Sequence, residues 1–271
     1  IPPAPEPVAA VPFDEAFSGI VGQDALLGLF ATDVAASAVR GRSFPHTLFM
    51  GPPGTGKTTL ARRIAAHLGS RFVPTSGPLV QDVHQLVRVL ANLCEGDVLF
   101  VDEVHAVPHR VLEALYQAMD ARSLSLTVQQ GVLVRSIRFD LPRFTLVAAT
   151  SEDQQLPEAF RSRFGIREAL GYYSRGDLAL ILTRAAEKDG FTLEAAACER
   201  LAEASRGTPR EALRLLARVL DCAAASGRAR GLRPCRRPDA RESRLRRRRL
   251  HPDRARLPGV PSREPGAHVA L

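Results

Sequence analysis

The segment Gly51-Pro52-Pro53-Gly54-Thr55-Gly56-Lys57-Thr58 fits the pattern G-x-x-x-x-G-K-[ST], and residue types in that order suit one chemistry, the holding of a polyphosphate. The glycines let the backbone curl until its N–H groups, with the N-terminus of a following helix, face phosphate oxygens. Lys57 then neutralises charge on the β- and γ-phosphates, and the Thr58 hydroxyl ligates Mg2+. The expected contacts are Gly51, Pro52, Gly54, Thr55, Gly56, Lys57, Thr58 and Thr59, with ATP and Mg2+ as the bound species.

Asp102-Glu103 follow the apolar run Val98-Leu99-Phe100-Val101. Two adjacent acids at the end of a buried strand stand where an α/β sheet presents its ligand site. Asp102 is expected to hold the magnesium through water, and Glu103 to orient and deprotonate an attacking water. Thr150 and Ser151 end a second apolar run, 144–149, so either hydroxyl could sense the γ-phosphate or its water. Arg161 and Arg163 come next. An arginine there could complete the transition-state charge at a neighbouring subunit's nucleotide, which makes catalysis depend on assembly. Arg210, after Gly207-Thr208-Pro209, could report nucleotide state to a helical domain. His105 is read as a hydrogen-bonded structural histidine with no chemical role.

These residues need elements to hold them. Leu26, Leu27, Phe30 and Val34 fall at helical spacing and predict an amphipathic helix ending near Gly41. A strand over 46–50 leads into the phosphate loop, and a helix over 57–68 leaves it, stopped by Gly69. A helix over 82–93 precedes the buried strand 98–101, and Pro108 suits the first turn of another helix carrying Leu112, Leu115 and Met119 on one face. Two strand-like runs, 123–129 and 132–139, flank Gln130-Gly131 as a hairpin. The alternation of strand and helix predicts an α/β domain with a mainly parallel sheet over 20–170. Beyond it the pattern becomes helical: Ser174-Arg175-Gly176-Asp177 resembles a capping box before a helix to about 189. With helices near 194–205 and 209–225, it predicts a small all-α lid over 171–227.

The composition, 45% hydrophobic and 24% charged over 271 residues, is that of an ordinary globular protein. No apolar stretch reaches the roughly 18 residues of a membrane span, and residues 1–19 read as a Pro/Ala-rich flexible leader rather than a signal peptide. A cytoplasmic location is expected. Cys94, Cys198, Cys222 and Cys235 show no metal or disulfide spacing. The formal charge of +8 is unevenly spread: residues 228–271 hold 14 Arg and 4 acidic residues, leaving 23 basic and 25 acidic residues in 1–227. The basic pI belongs to this Arg/Pro-rich stretch. It reads as a disordered basic tail, a nucleic-acid arm or, the reading favoured here, GC-rich coding sequence translated out of frame.

Taken together, GPPGTGKTTLA (51–61), TSGP (75–78), LFVDEVH (99–105), LPRFTLVAAT (141–150), RSRFGI (161–166) and RGTPR (206–210) resemble the RuvB family of bacterial Holliday-junction branch-migration ATPases, from about residue 20 to 225. The resemblance implies an AAA+ ATPase of the DNA helicase or translocase type, used in recombination and repair. It makes Thr150 the first sensor, Arg163 the finger acting in trans, Arg210 the second sensor and Tyr173 a nucleotide contact. It also implies a homo-oligomeric ring, a hexamer in the family, and makes the hairpin 123–139 the grip on the junction-binding partner RuvA. The family's N-terminal Arg-Pro stands here as Val11-Pro12. Its winged-helix DNA-binding domain is not recognisable in 228–271, so duplex and junction DNA are implied for the family more than for this chain. A clamp-loader-like subunit or another AAA+ remodelling ATPase is the alternative on the same fold.

Overall fold

The computed structural model describes residues 9–40, 44–130, 133–226 and 232–234. The elements run α1 (Phe13–Ala16), α2 (Asp24–Arg40), β1 (Thr47–Met50), α3 (Lys57–His67), β2 (Phe72–Ser76), α4 (Val83–Ala91), β3 (Asp97–Asp102), α5 (His109–Ala121), β4 (Ser123–Gln130), β5 (Leu133–Asp140), β6 (Phe144–Thr150), α6 (Glu158–Arg161), β7 (Ile166–Ala169), α7 (Arg175–Lys188), β8 (Phe191–Leu193), α8 (Ala195–Ala204), α9 (Pro209–Ser226) and β9 (Leu232–Pro234).

Five strands form a parallel sheet in the order β2-β3-β6-β1-β7. Helices cover both faces, which is why the central strands read as unbroken apolar runs rather than alternating ones. Along β3, Leu99 and Val101 point into one buried cluster with α4 and α5, while Val98 and Phe100 point into the other with α2 and α3. Leu146 and Ala148 of β6 repeat the first set, and Val147 and Ala149 the second. Phe49 and Phe30 are wholly buried, with ring centroids 6.1 Å apart. Truncating either to Ala would cost about 3–5 kcal/mol.

Two strands of this sheet escaped the sequence reading, both at its edges. β2 carries Pro74 and is nowhere fully buried, and a proline is tolerated there because an edge strand has N–H groups to spare. β7 alternates Ile166 with Arg167 and Glu168, a charged edge of the kind that discourages strand addition. Pro108 sits at the N-cap of α5, one residue before the first turn expected for it. The hairpin pairs antiparallel from Ser123↔Asp140 to Gln130↔Leu133; residues 131 and 132 lie outside the described residues.

The expected leader needs correcting over its second half. Ala16 and Phe17 are buried in the cluster behind α3, the Val11 N–H donates to the Ala66 carbonyl at 3.1 Å, and Phe13 packs 4.6 Å from Phe17. Isolated aromatics at positions 13 and 17 show no long period, but they bury apolar area once α3 offers a surface. In the lid, Leu178, Leu182, Cys198, Ala202, Ala212 and Leu216 form a separate small core. Ser174 caps α7, accepting from the Asp177 N–H at 3.1 Å. The lid is not purely helical: β8 pairs antiparallel with β9, whose three residues fall inside the stretch read as an unstructured tail. A ribbon this short is held by backbone bonds and needs no side-chain period to form. Residues 235–271, with Cys235, lie outside the described residues.

Candidate nucleotide-binding site

The loop between β1 and α3 is shaped by three glycines at positive φ. Gly51 has φ +130°, and a Cβ there would meet the Leu170 carbonyl at 2.1 Å; Gly54 has φ +83°, with a Cβ position 2.9 Å from Arg210 Cβ. Gly56 has φ +102° and opens α3 without any side-chain cap. The first-turn N–H groups of α3 are therefore available to an anion. Thr55 is fully buried and spends its hydroxyl on the Pro52 carbonyl at 2.9 Å. It holds the loop's shape instead of facing outward.

Lys57 extends under the loop, its Nζ donating to the Gly51 and Pro52 carbonyls at 2.7 and 2.9 Å. Burial pushes its ammonium pKa below the usual lysine range; Glu103 and Asp102 push it back up, and Arg210 reinforces the lowering. Lys57, Thr58 and Thr59 line a cleft of about 290 Å³ together with Asp102, Glu103 and, from α9, Arg210. Cations, backbone N–H groups and two acids thus converge on one space.

The acidic pair is posed by strain and close packing. Asp102 Oδ1 accepts the Glu103 N–H at 3.0 Å, and Glu103 adopts φ 49°, ψ 49°, a left-handed conformation that costs a non-glycine residue on the order of 1 kcal/mol or more. Gly77 lies directly against it, where a Cβ would meet the Glu103 carbonyl at 2.2 Å. Gln81 Nε2 donates to the Gly77 carbonyl at 2.7 Å and to the Ala106 carbonyl at 3.0 Å, tying the two short turns together. Gly77 and Gln81 were not singled out from sequence, although Gly77 lies in the TSGP segment.

The two hydroxyls left open by the sequence separate in space. Ser151 Oγ donates to Glu103 Oε2 at 2.9 Å. Thr150 is fully buried and accepts from the Glu152 N–H at 2.9 Å, with His105 Nδ1 at 3.0 Å from the same oxygen. His105 Nδ1 also lies 3.3 Å from Glu103 Oε2, so this histidine joins the hydroxyl network behind the acid. It is hydrogen-bonded, as expected of a structural histidine, and its partners are residues of the site.

Arg210 reaches the cleft, and its backbone N–H donates to the Gly54 carbonyl at 3.3 Å. Pro209 and Leu213 line the cleft beside it, and the helical spacing of 210 and 213 was a usable signal for Leu213. Tyr173 does not line the cleft. Its hydroxyl donates to the Thr55 carbonyl at 3.1 Å, and burial raises its phenol pKa. Arg161 and Arg163 do not line the cleft of their own chain either: Arg161 pairs with Glu158 at 2.7 Å and Arg163 with Asp120 at 2.8 Å.

A parallel sheet with a phosphate loop on its β1–α3 turn, acids at the tip of β3 and a helical lid contributing an arginine define a P-loop domain of the AAA+ ATPase class. Residues 14–170 match the family model of the Holliday junction DNA helicase RuvB P-loop domain, and residues 173–231 that of the RuvB AAA lid domain. The chain belongs to the RuvB family.

It is 43% identical over 213 residues to the Holliday junction branch migration complex subunit RuvB of Granulibacter bethesdensis, covering 79% of this chain and 59% of that protein. With the corresponding subunit of Rickettsia africae it shares 41% identity over 210 residues, 78% of this chain and 61% of the relative. The chain therefore spans about three fifths of the length of these relatives. The solved Thermotoga maritima RuvB Holliday junction branch migration motor superposes with a TM-score of 0.68 at 37% identity, over 78% of this chain and 66% of that one. A point mutant of that Thermotoga maritima protein gives 0.69 at 36% identity, over 81% of this chain and 68% of the mutant. Among the described residues no helix is long and apolar enough to cross a membrane.

Proposed function

We propose that the chain binds and hydrolyses ATP as the motor part of a Holliday-junction branch-migration complex. The observation that carries this is the convergence of Lys57, Asp102, Glu103 and the lid's Arg210 on one cleft. In this reading the loop N–H groups and Lys57 hold the phosphates, Glu103 takes a proton from the attacking water, and Ser151 fixes the Glu103 carboxylate. Thr150, placed behind Ser151, supports that network through His105. The Thr58 hydroxyl and the Asp102 carboxylate are hard oxygen donors on the same cleft, a set that fits Mg2+. When bound, that ion would neutralise charge between the phosphates.

Arg210 reads the nucleotide for the lid, and Tyr173 acts on it through the loop. Arg163, turned away from its own cleft, serves the nucleotide of the next subunit in a homo-oligomeric ring, a hexamer by analogy with the family. The hairpin of β4 and β5 binds a RuvA-like junction-binding protein. The relatives' names support Holliday-junction branch migration as the setting; a role in recombination and repair, in the cytoplasm, belongs to the same proposal.

Steady-state ATPase tests the reading. Turnover should be lost in Lys57→Ala and should rise in the wild-type chain when the junction-binding partner of a relative is added. Turnover unaffected by Lys57→Ala would remove the phosphate-loop assignment. Stimulation by a sliding clamp in place of the junction-binding protein would move the chain to the clamp-loader class.

A further inference from the structure

Arg163 is fixed on three sides by its own chain. Its Nε donates to Asp120 Oδ2 at 2.8 Å, its Nη1 donates to the Ala159 carbonyl, and its guanidinium carbon lies 4.4 Å from the centroid of the Tyr116 ring. Tyr116 and Asp120 stand four residues apart on α5, so one helix face presents both the ring and the carboxylate. The backbone on either side of Arg163 is anchored as well. Phe160 and Phe164 are buried edge to face, 5.0 Å apart, in the cluster that holds Leu115 and Met119 of α5.

The side chain nevertheless stays 28% exposed. An exposed ion pair adds little to stability, so folding alone gives this clamp small value. Its effect on the guanidinium is larger. Nε and Nη1 are engaged and one face is stacked, while Nη2 has no partner among the described residues and leaves an N–H edge open to an anion. An arginine clamped in this way loses little rotamer freedom on meeting a phosphate, whereas an unclamped one must be ordered at that moment.

We infer that Asp120, with Tyr116, is a positioning residue that holds the Arg163 guanidinium in the pose in which it meets the neighbouring subunit's nucleotide. This rests on the proposed action of Arg163 in trans. Asp120 is not among the residues lining its own chain's cleft; it acts through the arginine.

Mixed assemblies test the inference. The reference mixture combines Lys57→Ala subunits, which supply Arg163, with Arg163→Ala subunits, which supply an intact cleft. Adding Asp120→Ala to the Lys57→Ala subunit should lower kcat of the mixture about tenfold with KM for ATP unchanged, since misplacing a group by ~1 Å already costs up to 10²-fold. Adding it to the Arg163→Ala subunit should cause no further loss. Asp120→Asn, which keeps an acceptor oxygen, should recover most of the activity on the donor side.

Equal losses from either placement would mark Asp120 as merely structural and overturn the inference while sparing the finger. No loss from the donor placement would overturn it too. An inactive reference mixture would instead remove the trans role of Arg163, and the inference with it.

Discussion

Ser151 Oγ donates a 2.9 Å hydrogen bond to Glu103 Oε2, joining the tips of two neighbouring strands, β6 and β3, beside the cleft. The bond decides which of two adjacent hydroxyls addresses the acid. It also gives Glu103, already in a strained backbone pose, a fixed side-chain orientation.

Ser151→Ala should therefore lower kcat for ATP hydrolysis about tenfold, as expected when a positioned proton-transfer group loses its orientation, while leaving nucleotide affinity unchanged. Parallel titrations with a fluorescent nucleotide would separate the two. A variant with wild-type kcat would show that the hydroxyl does not position Glu103.

Glu103→Gln keeps the shape and an acceptor for Ser151 but removes the base. Nucleotide binding should survive, and single-turnover hydrolysis should fall by about 10²-fold or more. Near-normal turnover would place the base elsewhere.

Gly51→Ala should destabilise the fold as well as the site. The backbone is at φ +130° and the new Cβ would sit 2.1 Å from the Leu170 carbonyl, so either the phosphate loop or β7 must shift. A loss of about 2–4 kcal/mol in chemical denaturation is expected. An unchanged unfolding midpoint would contradict this packing.

His46 supplies a pH dependence. Burial lowers its pKa from 6.5 to about 4, partly opposed by the Asp120 carboxylate, and its neutral Nδ1 accepts the Leu146 N–H at 2.8 Å. Between these two values the unfolded chain binds the proton and the folded chain does not. The contribution is thus complete above pH 6.5 and is lost as pH falls toward 4, about 3 kcal/mol in all. His46→Gln, which retains an acceptor, should flatten this part of the curve when unfolding free energy is measured from about pH 7 to 4. A variant with the wild-type slope would assign the titration to another group.

Local chemistry was legible because it is written in adjacent residues. The glycines, Lys57 and Thr58 of the phosphate loop act within one turn of chain, and the Asp102-Glu103 pair follows an apolar run whose burial its composition announces. The parallel sheet was legible for the same reason in its three inner strands, β1, β3 and β6, each of which carries an unbroken apolar run of three or four residues. β2 and β7 were not, since an edge strand takes its structure from a neighbour's free backbone groups and not from its own side chains.

Spacing along the chain determined that an acid, a hydroxyl, a lid arginine and a second arginine would be present. Only the tertiary structure decided how they meet. Glu103 and Ser151 are 48 residues apart, and their contact follows from the register of β3 against β6; Arg210 reaches Gly54 through the docking of the lid; Arg163 finds Asp120 because buried Phe160 and Phe164 press its segment onto α5. A sequence specifies local backbone preferences strongly, but strand register and helix docking are set by the packing of residues far apart in the chain, and those contacts exist only once the core has formed.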